Sequence, residues 1–69
     1  MDPFTITVNG RYFNVRPIEA VDQVLYEIYD SSELLTVIGL NEDAEWEANN
    51  NFDEFLAKSM GEEIDRIIN

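Results

Sequence analysis

Histidine and cysteine are absent from this chain of 69 residues, and lysine and arginine together number only four. Without His, the side chain that most often serves as a general base near neutral pH is missing. Without Cys there is no thiolate nucleophile, no disulfide, and none of the ligands that zinc, copper and iron sites favour. Most familiar catalytic machinery is excluded on these grounds. Four cations are also too few to neutralise a run of phosphates, so direct binding to DNA, RNA or anionic lipid is not expected. No apolar run approaches the length of a membrane span, and Met1-Asp2-Pro3 carries no basic segment leading into an apolar one. A cytoplasmic location is the expectation that follows.

What the chain does have is acid. Fifteen Asp and Glu set a formal charge of -11, yet 45% of the residues are hydrophobic and the aromatics comprise one Trp, three Tyr and four Phe. That mixture argues for a folded chain rather than a disordered one, although self-repulsion opposes compaction. Residues 1–69 suffice for one small domain, which can bury only about 60% of the surface its unfolded chain exposes. A domain of this size needs a tight core or self-association to gain stability.

Phe4 to Val8 alternates apolar residues with Thr, Asn9-Gly10 is the dipeptide preferred in a two-residue hairpin turn, and Arg11 to Arg16 alternates again. Such a turn pairs Val8 with Arg11, Ile6 with Phe13 and Phe4 with Val15, and puts them on one face of the sheet. Pro17 should end the second strand, because it has no N–H for a ladder bond. Ile18 to Gln23 then reads as an irregular connection or a short helical turn, and the stretch from Arg16 to Gln23 is long enough to skip a neighbouring strand. Val24 to Tyr29, Leu34 to Leu40 and Ala44 to Ala48 read as further strands separated by turns at 30–33 and 41–43.

Even-numbered loops place Val24, Tyr26, Ile28, Leu35, Val37, Trp46 and Ala48 toward the core. Asn51, with Glu54 three residues on, makes a capping box for a helix from about Phe52 to the end. Its stripe is Phe52, Phe55, Leu56, Met60, Ile64, Ile67 and Ile68, with Gly61 a weak point. The expected fold is α+β: an antiparallel β-meander of about five strands with a C-terminal helix packed on one face.

The segments FTITVNGRYFNVRP and TVIGLNEDAEW, with SMGEEID in the closing helix, make the chain resemble short uncharacterised bacterial proteins of the Bacteroidetes type. The shared features are a hairpin opening, a mid-chain Ile-Gly, an acidic turn before a Trp and an Ile- or Met-Gly near the C-terminus. These are turn and core residues, so the resemblance implies a fold and no active site.

Glu42, Asp43, Glu45 and Glu47 form the densest acidic run, and oxygen ligands suit calcium or magnesium. The spacing does not match an EF-hand loop, and Glu45 and Glu47 on one strand face make at best half of a site with Glu27 or Asp43. A solvated, edge-protecting face explains them better. Close carboxylate pairs arise by chance at this acid content, so catalytic, metal and cofactor residues are all expected to be none.

The sheet face away from the helix is more informative. The phase argument puts Tyr12, Leu25, Tyr29, Leu34 and Ile38 there, among Thr5, Thr7, Asn14, Thr36, Glu27, Glu45 and Glu47. A solvated sheet face normally alternates more cleanly. An apolar patch with an acidic rim suits a protein partner. The expectation is a small soluble, non-catalytic interaction module, whose partner is another protein or a second copy bound through that face. The alternative is an acidic inhibitor or nucleic-acid mimic that occupies a basic groove on another protein.

Overall fold

Asn9 and Gly10 both hold positive φ, 53° and 77°, the backbone state of a type I′ turn, whose twist matches that of the flanking strands. The turn folds β1 (Phe4–Val8) back on β2 (Arg11–Glu19) in the expected register, Val8 opposite Arg11 and Phe4 opposite Val15. The computed structural model describes residues 2–69. β3 (Val24–Asp30), β4 (Glu33–Leu40), β5 (Trp46–Ala48) and α1 (Glu54–Ile68) follow. All neighbours pair antiparallel in the order β1-β2-β3-β4-β5. The fold is therefore the expected five-stranded meander with a C-terminal helix.

Several local expectations give way. β2 does not stop at Pro17, which pairs with Tyr26, and the strand runs on to Glu19 opposite Val24. β1 reaches only as far as Val15, so beyond it one side of β2 is an open edge that requires no donor, and a proline is tolerated. The connection to β3 skips nothing. It is a short turn closed by Ala20 N–H donating to the Gln23 carbonyl at 2.8 Å.

β4 departs from simple alternation. Asp30 faces Glu33 and Tyr29 faces Leu34, but Ile28 faces Thr36, with a register shift at Ile28/Tyr29. Leu35 and Thr36 together oppose Ile28, which is a β-bulge, and one added residue reverses the facing of everything after it. Thr36 and Ile38 therefore lie in the core, and Val37 points outward. The buried Thr36 hydroxyl is satisfied by donating to Asn50 Oδ1 at 2.8 Å.

β5 begins at Trp46 rather than Ala44, because Asn41 organises a tight loop ahead of it. Asn41 Oδ1 accepts from the N–H groups of Asp43 and Glu45 at 2.9 and 3.0 Å, and Asn41 N–H donates to the Glu45 carbonyl at 2.9 Å. The loop forces Ala44 to φ 60°.

Asp53, not Asn51, caps the helix. Its Oδ1 accepts from Phe55 N–H at 2.9 Å and Leu56 N–H at 3.2 Å, and a carboxylate suits the positive end of the helix dipole better than an amide. The buried stripe is Ala57, Met60, Gly61 and Ile64. Phe55 lies about 200° around the helix from Ala57 and is 84% exposed, while Ile67 and Ile68 are also exposed. Val24, at the start of its strand, is exposed as well.

α1 comes closest to β1 and β5, the two outermost strands, and less close to β4. A sheet whose opposite edges both approach one helix must be strongly curved, with its concave side around the core. There Ile6, Phe13, Val15, Ile28 and Ile38 meet Met60 and Ile64, and Phe4, Leu35 and Leu56 pack around them. No helix among the described residues is long and apolar enough to cross a membrane.

Ala44 gains nothing from its side chain in the left-handed region, where an L-residue costs about 1–2 kcal/mol. After allowing for the freedom glycine adds to the unfolded chain, Ala44→Gly should stabilise the fold by about 0.5–1 kcal/mol. Urea unfolding reads this directly, and an unchanged or lower midpoint would contradict the loop geometry.

Candidate protein-binding face

The convex side of the sheet is the side α1 does not cover. Its side chains follow from the register: Asn14, Tyr29 and Leu34 form one row, Arg16, Glu27 and Val37 the next, and Ile18 and Leu25 the third. Of the residues expected there, Tyr12 is strongly exposed, Leu34 is half exposed, and Leu25 and Tyr29 are partly buried. Ile38 is not on this face. It is fully buried in the core, because the bulge at Leu35 and Thr36 exchanges its orientation with that of Val37. Thr36 leaves the face for the same reason.

The apolar residues form two groups rather than one patch. Tyr12, Tyr29 and Leu34 sit toward the end of the sheet with the Asn9-Gly10 and Ser31-Ser32 turns. Ile18, Leu25 and Val37 sit toward the other. Between them runs the polar pair Arg16 and Glu27, which are direct neighbours, and Tyr29 Oη donates to Glu27 Oε1 at 3.0 Å. That bond holds the phenol along the face and ties the first group to the polar row.

The second group surrounds a shallow depression of about 270 Å³, bordered by Leu25, Val37, Leu40, Gln23 and Glu47. Gly39 is the reason it exists. A Cβ at that position would lie 2.7 Å from Leu25 Cδ2, so any side chain there would displace Leu25 and fill the hollow. Glu47 stands opposite Gly39 and accepts from Asn41 Nδ2 at 3.1 Å, which fixes a carboxylate at the rim. Val37 and Ile18 escaped the sequence reading, the first because of the bulge and the second because Pro17 masked the end of β2.

The acidic run does not assemble as one face. Glu45 precedes β5 and its carboxylate stands 3.8 Å from Lys58 Nζ on the helix, while Glu47 turns toward Asn41. Both border a second, more polar groove of about 560 Å³ between β5 and the start of α1, floored by Trp46 and Phe52. Among the described residues, no group of three or more acidic side chains is placed to hold a metal ion.

Most of the few cations are engaged in ion pairs. Arg11 meets Asp30 at 2.7 Å, Arg66 meets Glu63 at 2.8 Å, and Lys58 faces Glu45. These exposed pairs add little stability, roughly 0–1 kcal/mol each. Their larger effect is to cancel three of the four cations, so the outward field is negative over most of the surface. Tyr26 is a core residue whose phenol is raised above its usual pKa near 10, first by burial and then by the nearby Asp65 carboxylate.

The chain matches no protein-family model, no curated protein and no solved structure.

The corrected facing of β4 has a direct check. Val37→Lys should cost no more than about 1 kcal/mol, since the lysine stem can lie along the surface with its ammonium in water. Ile38→Lys should cost more than about 3 kcal/mol, because it removes a buried side chain and introduces an unpaired charge. Thermal or urea unfolding giving the reverse order would place the bulge elsewhere.

Proposed function

We infer that this chain is a small non-catalytic interaction module whose convex, helix-free sheet face docks a partner protein. The observation that carries the reading is the depression around Gly39, walled by Leu25 and Val37 and rimmed by the carboxylate of Glu47. At about 270 Å³ it is smaller than the usual range for small-molecule sites, roughly 300–1,000 Å³. It suits one apolar anchor side chain, the kind of central contact that dominates protein interfaces. Glu27 and Glu47 border the apolar residues, so the complementary partner carries basic residues around its anchor. A second copy of this chain would bring the same carboxylates against one another, which disfavours self-pairing through this face.

Affinity capture from a lysate should therefore retain a partner on the wild-type chain and lose it on Leu25→Glu. Retention on Phe55→Glu should be unchanged, since that residue projects from the solvent side of the helix and the substitution adds the same charge. Equal retention on all three chains, or none on the wild type, would contradict the assignment.

The near-complete cancellation of the cations favours a second reading, an acidic mimic that occupies a basic, nucleic-acid-binding groove on another protein. Its signature is different: capture would be released by salt, competed by DNA, and insensitive to Leu25→Glu.

A further inference from the structure

β1 is an edge strand, and its free side is chemically open. In a ladder closed by a two-residue turn, Val8 and Arg11 exchange both backbone hydrogen bonds, so Phe4, Ile6 and Val8 direct their N–H and C=O groups at β2. Thr5 and Thr7 direct theirs away from the sheet. Both residues are exposed, and among the described residues no hydrogen bond from outside the sheet ladder reaches their backbones.

The opposite edge strand, β5, is guarded in another way, being only three residues long and carrying Glu47. Beyond the three residues of β5, the remaining edge of β4 is occupied by Asn49, whose N–H donates to the Val37 carbonyl at 3.0 Å and whose Oδ1 accepts from Val37 N–H at 3.4 Å. Asn50 Nδ2 continues this by donating to the Leu35 carbonyl at 3.4 Å.

Edge strands are ordinarily protected by a charge, a proline or a bulge. β1, FTITV, has none of these, whereas β2 through β5 each carry at least one charged residue. Along the sequence, the acidic residues are concentrated outside the opening hairpin. Residues 1–18 contain Arg11 and Arg16 against Asp2 alone, a formal +1, while residues 19–69 contain Lys58 and Arg66 against fourteen carboxylates, a formal -12. β1 itself carries no charged side chain, so a second copy pairing along it sets no carboxylate of the strand against its counterpart.

The strand is in addition a palindrome of side-chain type centred on Ile6: apolar, Thr, Ile, Thr, apolar. Antiparallel self-pairing about Ile6 sets Ile6 against its counterpart, Phe4 against the second Val8, and Thr5 against the second Thr7. In that register the outward N–H and C=O groups are the ones that meet. Like side chains face like on both sides of the sheet.

We propose that the free edge of β1 pairs with β1 of a second copy, antiparallel about Ile6, to form a closed two-fold dimer with one continuous sheet. The two-fold symmetry pairs the two β1 edges with each other and leaves only the short, charged β5 edges at the ends of the continuous sheet, so the assembly stops at two. The convex faces remain free in the dimer, which displays two copies of the docking surface side by side.

Sedimentation velocity across a hundredfold concentration range at moderate salt, combined with amide exchange at Thr5 and Thr7, tests this. A dimer is expected, with exchange at those two amides slowing at least tenfold as it forms. Thr7→Pro removes an N–H that the monomer's own ladder does not use, so it should give a folded monomer, while Leu25→Glu should still dimerise. A monomer at every concentration, or a dimer in which the Thr5 and Thr7 amides of the wild type stay unprotected, overturns the proposal. A dimer lost in Leu25→Glu but kept in Thr7→Pro also overturns it, and assigns self-association to the convex face instead.

Discussion

Everything in this fold depends on one close approach, the indole of Trp46 lying against the backbone of Gly61. Gly61 sits inside the helix, where it costs about 1 kcal/mol relative to Ala, and it is there because a Cβ would fall among the ring atoms of Trp46. Trp46 Nε1 donates to Asp65 Oδ2, one turn further along α1, at 3.1 Å. Tyr26 meets the same indole edge-on with centroids 5.6 Å apart. One aromatic side chain on the last, three-residue strand therefore anchors the helix by packing and by a directed hydrogen bond. A three-residue strand makes few ladder bonds, so this packing adds to what holds that end of the sheet.

The curvature has consequences for the outer surface. Because the helix bridges the two ends of the sheet, the concave side is sealed by Met60, Ile64 and Ala57, and the convex side is left as the available face. The bulge in β4 then decides what that face presents. It withdraws Ile38 and Thr36 into the core and offers Val37 beside Gly39, so the hollow next to Leu25 is a product of one extra residue. The Asn49-Asn50-Asn51 tract supplies two side chains that complete the exposed edge of β4 and satisfy the buried hydroxyl of Thr36.

The parts of this that were legible in the sequence are those governed by local chemistry. Asn9-Gly10 dictates a turn regardless of context, and its register follows from two-residue closure. The helix announces itself through spacing. The bulge left no such mark, because Leu34 to Ile38 is apolar or Thr at every position and alternation within it has no contrast to show. Simple alternation accordingly puts Ile38 outside and Val37 inside, the reverse of the structure. Pro17 looked like a terminator because being on an open edge is a property of the sheet, not of β2. Asn51 and Asp53 are both good capping residues, and only the packing of Phe52 against the core, which places it outside the helix, selects the second. The meaning of Gly61 is wholly tertiary: read alone it weakens a helix, and read beside Trp46 it permits one to dock.

The most direct test of this account is a double-mutant cycle between Gly61 and Trp46, followed by urea unfolding. In the wild-type background, Gly61→Ala should destabilise the protein by more than about 1 kcal/mol despite the gain in helix propensity, because the new methyl displaces the indole. In a Trp46→Leu background the same substitution should become neutral or stabilising by up to about 1 kcal/mol, as propensity reasserts itself once the ring is gone. An equal effect of Gly61→Ala in both backgrounds, or a gain in the wild type, would mean that the helix is held to the sheet by something other than this contact.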